Sequence, residues 1–390
     1  MPDERFEDHL RHPRGRGCTV AGGHDGAAGG HVCGDLIRVS LRVSGDRVSE
    51  AGFEASGCGA MIAAGSAIVE LVEGSGVLGA ALVGAAQVAS ELGGLSAGKL
   101  HAADLASDAM HRALGAAVRA DAHTDPEPER TLVAMSGGVD SAVAALLERE
   151  RGADVVGVTL KLWADPATDG ERSCCSPEAV LRARRLAHSL GMPHLTLDLR
   201  GEFREGVVSP FLDGYAEGRT PNPCVLCNGE VRIDAMIALA ERLGADALVT
   251  GHYARIADDG EGPLLAGPAD PAKDQTYMLS GLRPESLARL RFPLADLTKP
   301  EVREIASAAG LEVAGRAESQ DLCFLAGQGK REFLRRHAGL GERAGDVVDA
   351  RGNRLGSHDG HHNFTVGQRR GLGVASSEPL YVLGTDAASN

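Results

Sequence analysis

Cys224 and Cys227 stand three residues apart in the run GRTPNPCVLCNGEVRIDAMIALAERLG. A pair at this spacing serves as half of a metal clip, as a structural pair or as working thiols, and the spacing alone leaves all three open. Pro221 and Pro223 stiffen the approach to a helix that should run to Gly244. Cys227 is therefore expected near that helix's amino end, where the dipole favours thiolate over thiol. A persulfide carrier needs such an accessible low-pKa sulfur, together with a second thiol to attack it.

A second constellation lies in AMSGGVDSAV: Ala134, Met135, Ser136, Gly137, Gly138, Val139, Asp140 and Ser141, followed by a helix. Two glycines allow a tight turn that aims successive N–H groups at one spot, and the following helix adds its positive end. Ser136 and Ser141 can donate hydroxyls to phosphate oxygens, and Asp140 can orient a metal or cap the helix. No lysine follows in the GK[ST] sense, so this is not the ordinary ATPase loop.

Elements must hold these groups in place. TLVAM is a short apolar strand, SAVAALLERERG a helix closed by Gly152, and VVGVTLKLW a second strand. SPEAVLRARRLAHSLG follows with Ser176 as cap, Pro177 in the first turn and Gly191 as stop. HLTLD, a further helix and ALVTGHY continue the alternation. Repeated strand–helix–strand units predict an α/β fold, a doubly wound parallel sheet covered on both faces. DAHTDPEPER, residues 121–130, is acidic, carries two prolines and reads as a linker. Residues 1–120 before it are rich in glycine and alanine, and the pattern turns irregular and glycine-rich after about residue 325. The expected division is 1–120, linker 121–130, 131–325 and 326–390.

The chain has 390 residues, 43% hydrophobic and 24% charged, enough for two or three domains each burying a core. Eight cysteines in that length do not make a disulfide scaffold. The formal charge of −14 argues against a general nucleic-acid coating but leaves room for a local basic groove. The start has no secretory pattern, and VLGAALVGAAQVA is shorter than the ~20 residues a membrane span needs. A cytoplasmic protein with no membrane partner is expected.

SGGVDS resembles the pyrophosphatase loop (PP-loop) of enzymes that adenylate a carbonyl oxygen, among them GMP synthetase, NAD synthetase and the tRNA thiolases. The cysteine blocks narrow the choice. GRTPNPCVLCN, LVTGHYAR, KDQTYML, FPLADLTKPEVREIA, ESQDLCFL and FTVGQRRGL resemble, in collinear order, the bacterial tRNA-specific 2-thiouridylase (MnmA) family from about Thr131 to Asn390. The resemblance implies a sulfurtransferase: ATP, with Mg2+, adenylates O2 of the wobble uridine, and sulfur replaces that oxygen. It implies catalytic thiols at Cys227 and Cys323, with the persulfide on Cys323 and a disulfide between the two as an end state. It implies that Leu160 and Gly251 join residues 134–141 at the nucleotide, that Asn222, Pro223 and Cys224 touch the target base, and that Lys273, Asp274 and Gln275 touch tRNA.

Family members carry Asp or Cys at position 224. The Cys form makes Cys224, Cys227 and Cys323 a three-thiolate set for a [4Fe–4S] cluster, so persulfide thiols and cluster ligands both stand, and ligand count favours the cluster. Cys174–Cys175 match a family CCS element, read as structural. GKREFLRR and GQRR supply a local basic face for tRNA phosphates. A non-catalytic sulfur or cluster carrier that retains the thiolase fold is the alternative from another class. The family continues beyond LYVLGTDAASN into a β-barrel, so 326–390 is expected as a small, incomplete β-rich region.

FEDHLRHPRGRG, VCGDLIRVSL, GFEASGCGAMIAAGSAIVELV and GKLHAADLASDAMHRAL resemble the iron–sulfur scaffold family IscU/NifU, which implies an α+β amino-terminal domain for cluster assembly. Cys33, Asp35, Cys58 and His101 match its ligand positions, and Ala102 stands in place of its third cysteine. The remaining set suits tetrahedral Zn2+ or Fe. A cysteine desulfurase or other sulfur donor is the implied partner, and the fusion suggests a tethered donor acting close to the thiolase site.

Overall fold

In the computed structural model residues 4–29, 34–165, 176–316, 322–325 and 327–390 are described. Strands β1 (His24–Gly29), β2 (Leu36–Ser44) and β3 (Arg47–Ser56) form an antiparallel sheet in sequential order. Along β2, Ile37, Val39, Leu41 and Val43 are buried while Leu36, Arg38 and Arg42 face water, the period-2 pattern of a half-covered sheet. Helices Gly59–Val72 and Leu100–Asp121 cover that apolar face. The small residues expected to allow close packing do so: a Cβ on Gly65 would collide with the Phe53 ring.

The second sheet contains β4 (Arg130–Ala134), β5 (Asp154–Lys161), β6 (His194–Asp198) and β7 (Ala247–Val249). Strands β8 (Arg255–Asp258) and β9 (Pro263–Ala266) make a separate hairpin, and β10 (Leu290–Arg291) closes the edge of the larger sheet. Its order is β10-β7-β4-β5-β6, with every pair parallel. Helices Val139–Glu150 and Pro177–Ser189 cover one face, packing on Val133, Met135 and Val155. Ser176 caps the second of them by accepting the Ala179 N–H at 3.1 Å, and Gly191 ends it with φ +69°. The expected doubly wound sheet is present. In the carboxy-terminal region β11 (Gly345–Val348) and β12 (Arg354–His358) pair as a hairpin. No helix is long and apolar enough to cross a membrane, among the described residues.

Segment 121–130, expected as a linker, is tied down by backbone bonds: His123 N–H to Gly45 O, Thr124 N–H to Arg242 O and Glu127 N–H to Gly244 O, each 2.9 Å. The amino-terminal region is also docked. Its helix Leu100–Asp121 packs on β6, and one continuous apolar cluster joins Met110, Leu114 and Val118 to Val156, Leu195 and Leu197.

That helix runs parallel to β6. His111 lies by His188, just before the strand, Gly115 sits on the Thr196 carbonyl, and Arg119 donates to Asp198 O at 3.1 Å. The interface also buries charge and imidazole. Arg184 pairs with Asp108 at 3.3 Å. His188 Nε2 donates to Ala81 O at 3.0 Å and His111 Nε2 to Val83 O at 2.9 Å. Burial, reinforced by the Arg184 charge, pushes His111 and His194 well below 6.5 and His188 below it as well.

Two outcomes follow from this packing. Gly115→Val puts a side chain against backbone that cannot repack, so it should cost at least 1–3 kcal/mol; an unchanged urea midpoint and unchanged proteolysis across 121–130 would refute the tight docking. The three histidines are neutral when folded, so below pH 6.5 the unfolded chain takes up protons that the folded one refuses. Stability should hold above pH 6.5 and fall by up to about 1.4 kcal/mol per pH unit per histidine below it. Replacing His194 with Gln should flatten that slope in denaturation series run from pH 8 to pH 5.

Candidate functional site

In this parallel sheet β4 is flanked by β5, reached by one crossover, and by β7, reached much later in the chain. The crevice at the carboxyl ends of β4 and β7 is thus the switch point at which such sheets bind ligands. The phosphate loop leaves β4 there. Gly137 takes φ +71°, and a Cβ on it would come within 2.9 Å of Ala179 O, so glycine is required twice over. Ser141 Oγ accepts the Ser136 N–H at 3.1 Å and donates to Gly138 O at 3.1 Å, which folds the loop before any ligand arrives. Gly251, just after β7, presses on the start of the next helix: a Cβ there would lie 2.8 Å from Ser141 N.

Asp140 corrects an expectation. Gly138 holds the cap position, and no side chain caps helix Val139–Glu150. The Asp140 carboxylate instead accepts from Lys299 Nζ at 2.7 and 2.8 Å and from Tyr253 Oη at 2.9 Å. Lys299 and Tyr253 both lie within segments that sequence comparison marks, but nothing in one sequence pairs residues 140 and 299.

The thiols enter from the opposite wall. Asn222 Oδ1 accepts the Cys224 N–H at 3.1 Å and starts a helix at Pro223 that continues through a widened turn, Cys227–Ile233, to Arg242. Asn228 Nδ2 donates to Cys224 O at 3.1 Å within that turn. The helix begins earlier than its dipole argument requires, so Cys224 occupies the first turn and Cys227 is a turn further in and buried. Burial pushes the Cys224 thiol up, with the Arg232 charge pulling the other way. Cys323 sits on a short 3-10 turn, Cys323–Leu325. That turn is anchored by Phe324, whose ring meets Phe211 and Phe333 at 5.1 Å and Phe203 at 6.0 Å.

One cleft of about 300 Å³ joins the two walls. Ala134, Ser136, Asp140, Ser141 and Gly251 line it from the loop side, Pro223, Cys224, Cys227 and Cys323 from the thiol side, and Gln275 between them. Gln275 is held by Tyr253, whose N–H donates to its Oε1 at 3.0 Å. Met135, Gly137, Gly138 and Val139 shape the loop from behind. Leu160 is buried in the core of β5, and Asn222, Lys273 and Asp274 stand outside the cleft lining. Sequence reasoning missed Arg232, Asn228, Thr250 and His252, which also line it. His252 Nδ1 and Thr250 Oγ1 are 2.8 Å apart, and burial pushes this imidazole down to about 3.

The basic face is weaker than expected. Arg331 pairs with Asp359, Arg335 with Glu332 and Arg336 with Asp165, all within 2.9 Å, while Lys330 lies over the Tyr215 ring. Arg369 and Arg370 remain exposed.

In the amino-terminal domain the Asp35 carboxylate accepts the Cys58 N–H at 3.0 Å and lies 2.9 Å from His101 Nε2. Ligand atoms of Asp35, Cys58 and His101 fall within 4.8 Å of one another, and among the described residues they are the one such group. Cys33, Cys174 and Cys175 lie outside the described residues. His101 precedes Gly115 by 14 residues, about 21 Å at 1.5 Å per residue. Because the helix runs parallel to β6, that distance leads toward the amino ends of the strands, away from the cleft.

The Asp140–Lys299 pair yields a direct check. Lys299→Met leaves a half-buried carboxylate with one neutral donor, a loss of about 2 kcal/mol. Adding Asp140→Asn should recover part of it, and additive losses in denaturant titrations would show the two do not interact.

Residues 129–327 match the family model described as tRNA methyl transferase HUP domain, 331–390 the tRNA methyl transferase PRC-barrel domain, and 3–121 the NifU-like N terminal domain. A bifunctional protein NifU/MnmA of Rubrobacter xylanophilus is 48% identical over 397 residues, covering 98% of this chain and 80% of the relative. The tRNA-specific 2-thiouridylase MnmA of Geobacter metallireducens is 46% identical over 271 residues, 68% of this chain and 73% of the relative. That of Sorangium cellulosum is 49% identical over 261 residues, 67% and 68% of the two chains. With a 48% identical relative spanning nearly the whole chain and both family models matched, the chain belongs to the tRNA-specific 2-thiouridylase family in its NifU-fused form.

Proposed function

We propose that this chain is a tRNA-uridine 2-sulfurtransferase that adenylates O2 of the wobble uridine and then replaces that oxygen with sulfur. The carrying observation is the single cleft lined by both the phosphate loop and the three thiols. A carrier protein has no use for a nucleotide cradle beside its thiols, so the same observation favours the enzyme. The family label speaks of methyl transfer, whereas the relatives are named thiouridylases, and a cysteine-lined cleft fits the latter.

ATP binds with its phosphates on residues 134–141, and Mg2+ enters with the nucleotide. O2 attacks the α-phosphorus, the bond to the β-phosphate oxygen breaks and pyrophosphate leaves. A sulfur nucleophile then attacks C2, and AMP departs with the former O2. On the persulfide route the outer sulfur of Cys323 makes the C2–S bond. The Cys227 thiolate attacks the inner sulfur, the S–S bond to the product breaks, and the resulting Cys227–Cys323 disulfide is reopened by a thiol reductant. A [4Fe–4S] cluster held by Cys224, Cys227 and Cys323 would instead supply sulfide as the nucleophile. Cys227 is buried and Cys224 and Cys323 are half-buried, which limits water's competition for the activated carbonyl.

Asn222, Pro223 and Cys224 would touch the target base, and Lys273, Asp274 and Gln275, with the exposed Arg369 and Arg370, would meet tRNA beyond it. In the amino-terminal domain Asp35, Cys58 and His101 offer an S/N/O donor set that suits Zn2+ or Fe, and the family resemblance adds Cys33, outside the described residues, as a fourth ligand. A cysteine desulfurase or equivalent donor supplies the sulfur, and the reaction takes place in the cytoplasm with tRNA.

Cys323→Ala should abolish 2-thiouridine in incubated tRNA, a fall of at least 100-fold by mass spectrometry of nucleosides, while tRNA-dependent pyrophosphate release persists. Equal thiolation in the variant sinks the assignment. Cys224→Asp separates the routes: loss of both the iron–sulfur absorbance and thiolation after anaerobic purification is expected for the cluster, and thiolation without that absorbance assigns the persulfide.

A further inference from the structure

The phosphate loop carries no lysine, and the lysine nearest to it, Lys299, is committed to Asp140. Besides Arg232 in the cleft, two arginines approach the loop at Gly137. Arg182, on helix Pro177–Ser189, lies over Gly137: its Nε is 3.6 Å from the position a Cβ would take there. That Nε is buried and has no hydrogen-bond partner. Arg316 approaches the same glycine from the turn after Val313 and donates from Nη1 to Gly137 O at 3.5 Å. Arg303 fixes that turn by donating to Ala314 O at 2.9 Å and to Arg316 O at 3.3 Å.

Three other inward-facing arginines have carboxylates: Arg184 has Asp108, Arg130 has Asp154 and Arg336 has Asp165. Among the described residues Arg182 and Arg316 have none within ion-pair distance. Burial and the charge of Arg316 both lower the pKa of Arg182, with Glu178 on the same helix opposing from a distance. Two guanidiniums converging on a glycine, unneutralised and partly desolvated, repel each other unless an anion lies between them.

We propose that Arg182 and Arg316 form the subsite for the β- and γ-phosphates of the nucleoside triphosphate, and that they hold the departing pyrophosphate. This rests on the nucleotide reading of the cleft. The α-phosphate faces the cleft over Ser136 and Ser141, and the terminal phosphates cross Gly137 to the guanidiniums. As the bond from the α-phosphorus to its bridging oxygen breaks, the electron pair goes to pyrophosphate, where fixed cations stabilise the growing charge. Arginine suits the task because its planar fork binds phosphate in two places and keeps its charge when buried.

The test uses the full chain with inorganic pyrophosphate and AMP as separate probes in calorimetric titrations. Arg182→Gln and Arg316→Gln should each weaken pyrophosphate binding at least tenfold and leave AMP binding within twofold, with Arg316→Lys intermediate. Pyrophosphate should raise the thermal midpoint of the wild type and fail to do so in the Gln variants, which also reports whether they are folded. Folded variants that bind pyrophosphate like the wild type overturn the subsite while leaving the nucleotide reading intact. Wild-type protein that binds AMP but not pyrophosphate overturns it too, and protein that binds neither removes the nucleotide reading itself.

Discussion

The chemistry of this molecule depends on β4 and β7 lying side by side as parallel strands although more than a hundred residues separate them. Parallel pairing puts both carboxyl ends at one edge, so the phosphate loop leaving β4 and the Thr250–His252 turn leaving β7 must meet there. The contact is tight enough that Gly251 has no room for a side chain against the start of helix Val139–Glu150. The thiols inherit their positions from this arrangement. The cysteine helix Pro223–Arg242 leads directly into β7, and Phe324 pins the Cys323 turn among aromatic rings on the other side.

A different constraint governs the amino-terminal domain. Its long helix covers the edge strand β6, which would otherwise expose apolar surface and unpaired backbone. Docking makes the two regions one core but fixes the Asp35–Cys58–His101 group toward the opposite edge of the sheet. Proximity in sequence has therefore not become proximity of sites.

Electrostatics in the interior are local. Lys299 is used up by Asp140, the histidines at the docking surface stay neutral, and much of the basic helix Lys330–Ala338 is neutralised by acids. With a net charge of −14 the chain has no general positive field to offer phosphate, so any such contact falls to local cations.

Much was legible in the sequence. Period-2 and helical patterns, Ser176 with Pro177, and the Gly137–Gly138 turn follow from local sterics and hydrogen bonding, which a short window contains. The order of strands and helices implied the parallel sheet, and the collinear cysteine blocks implied the family. The partner of Asp140, the burial that raises the Cys224 thiol and the convergence of Arg182 and Arg316 on Gly137 were not legible. Each joins residues from distant segments, and single-sequence periodicity carries no information on which segments meet. Local chemistry belonged to the sequence alone; which charges are paired, which sulfurs share a cleft and which site faces which edge were decided only when the sheet order brought remote segments together.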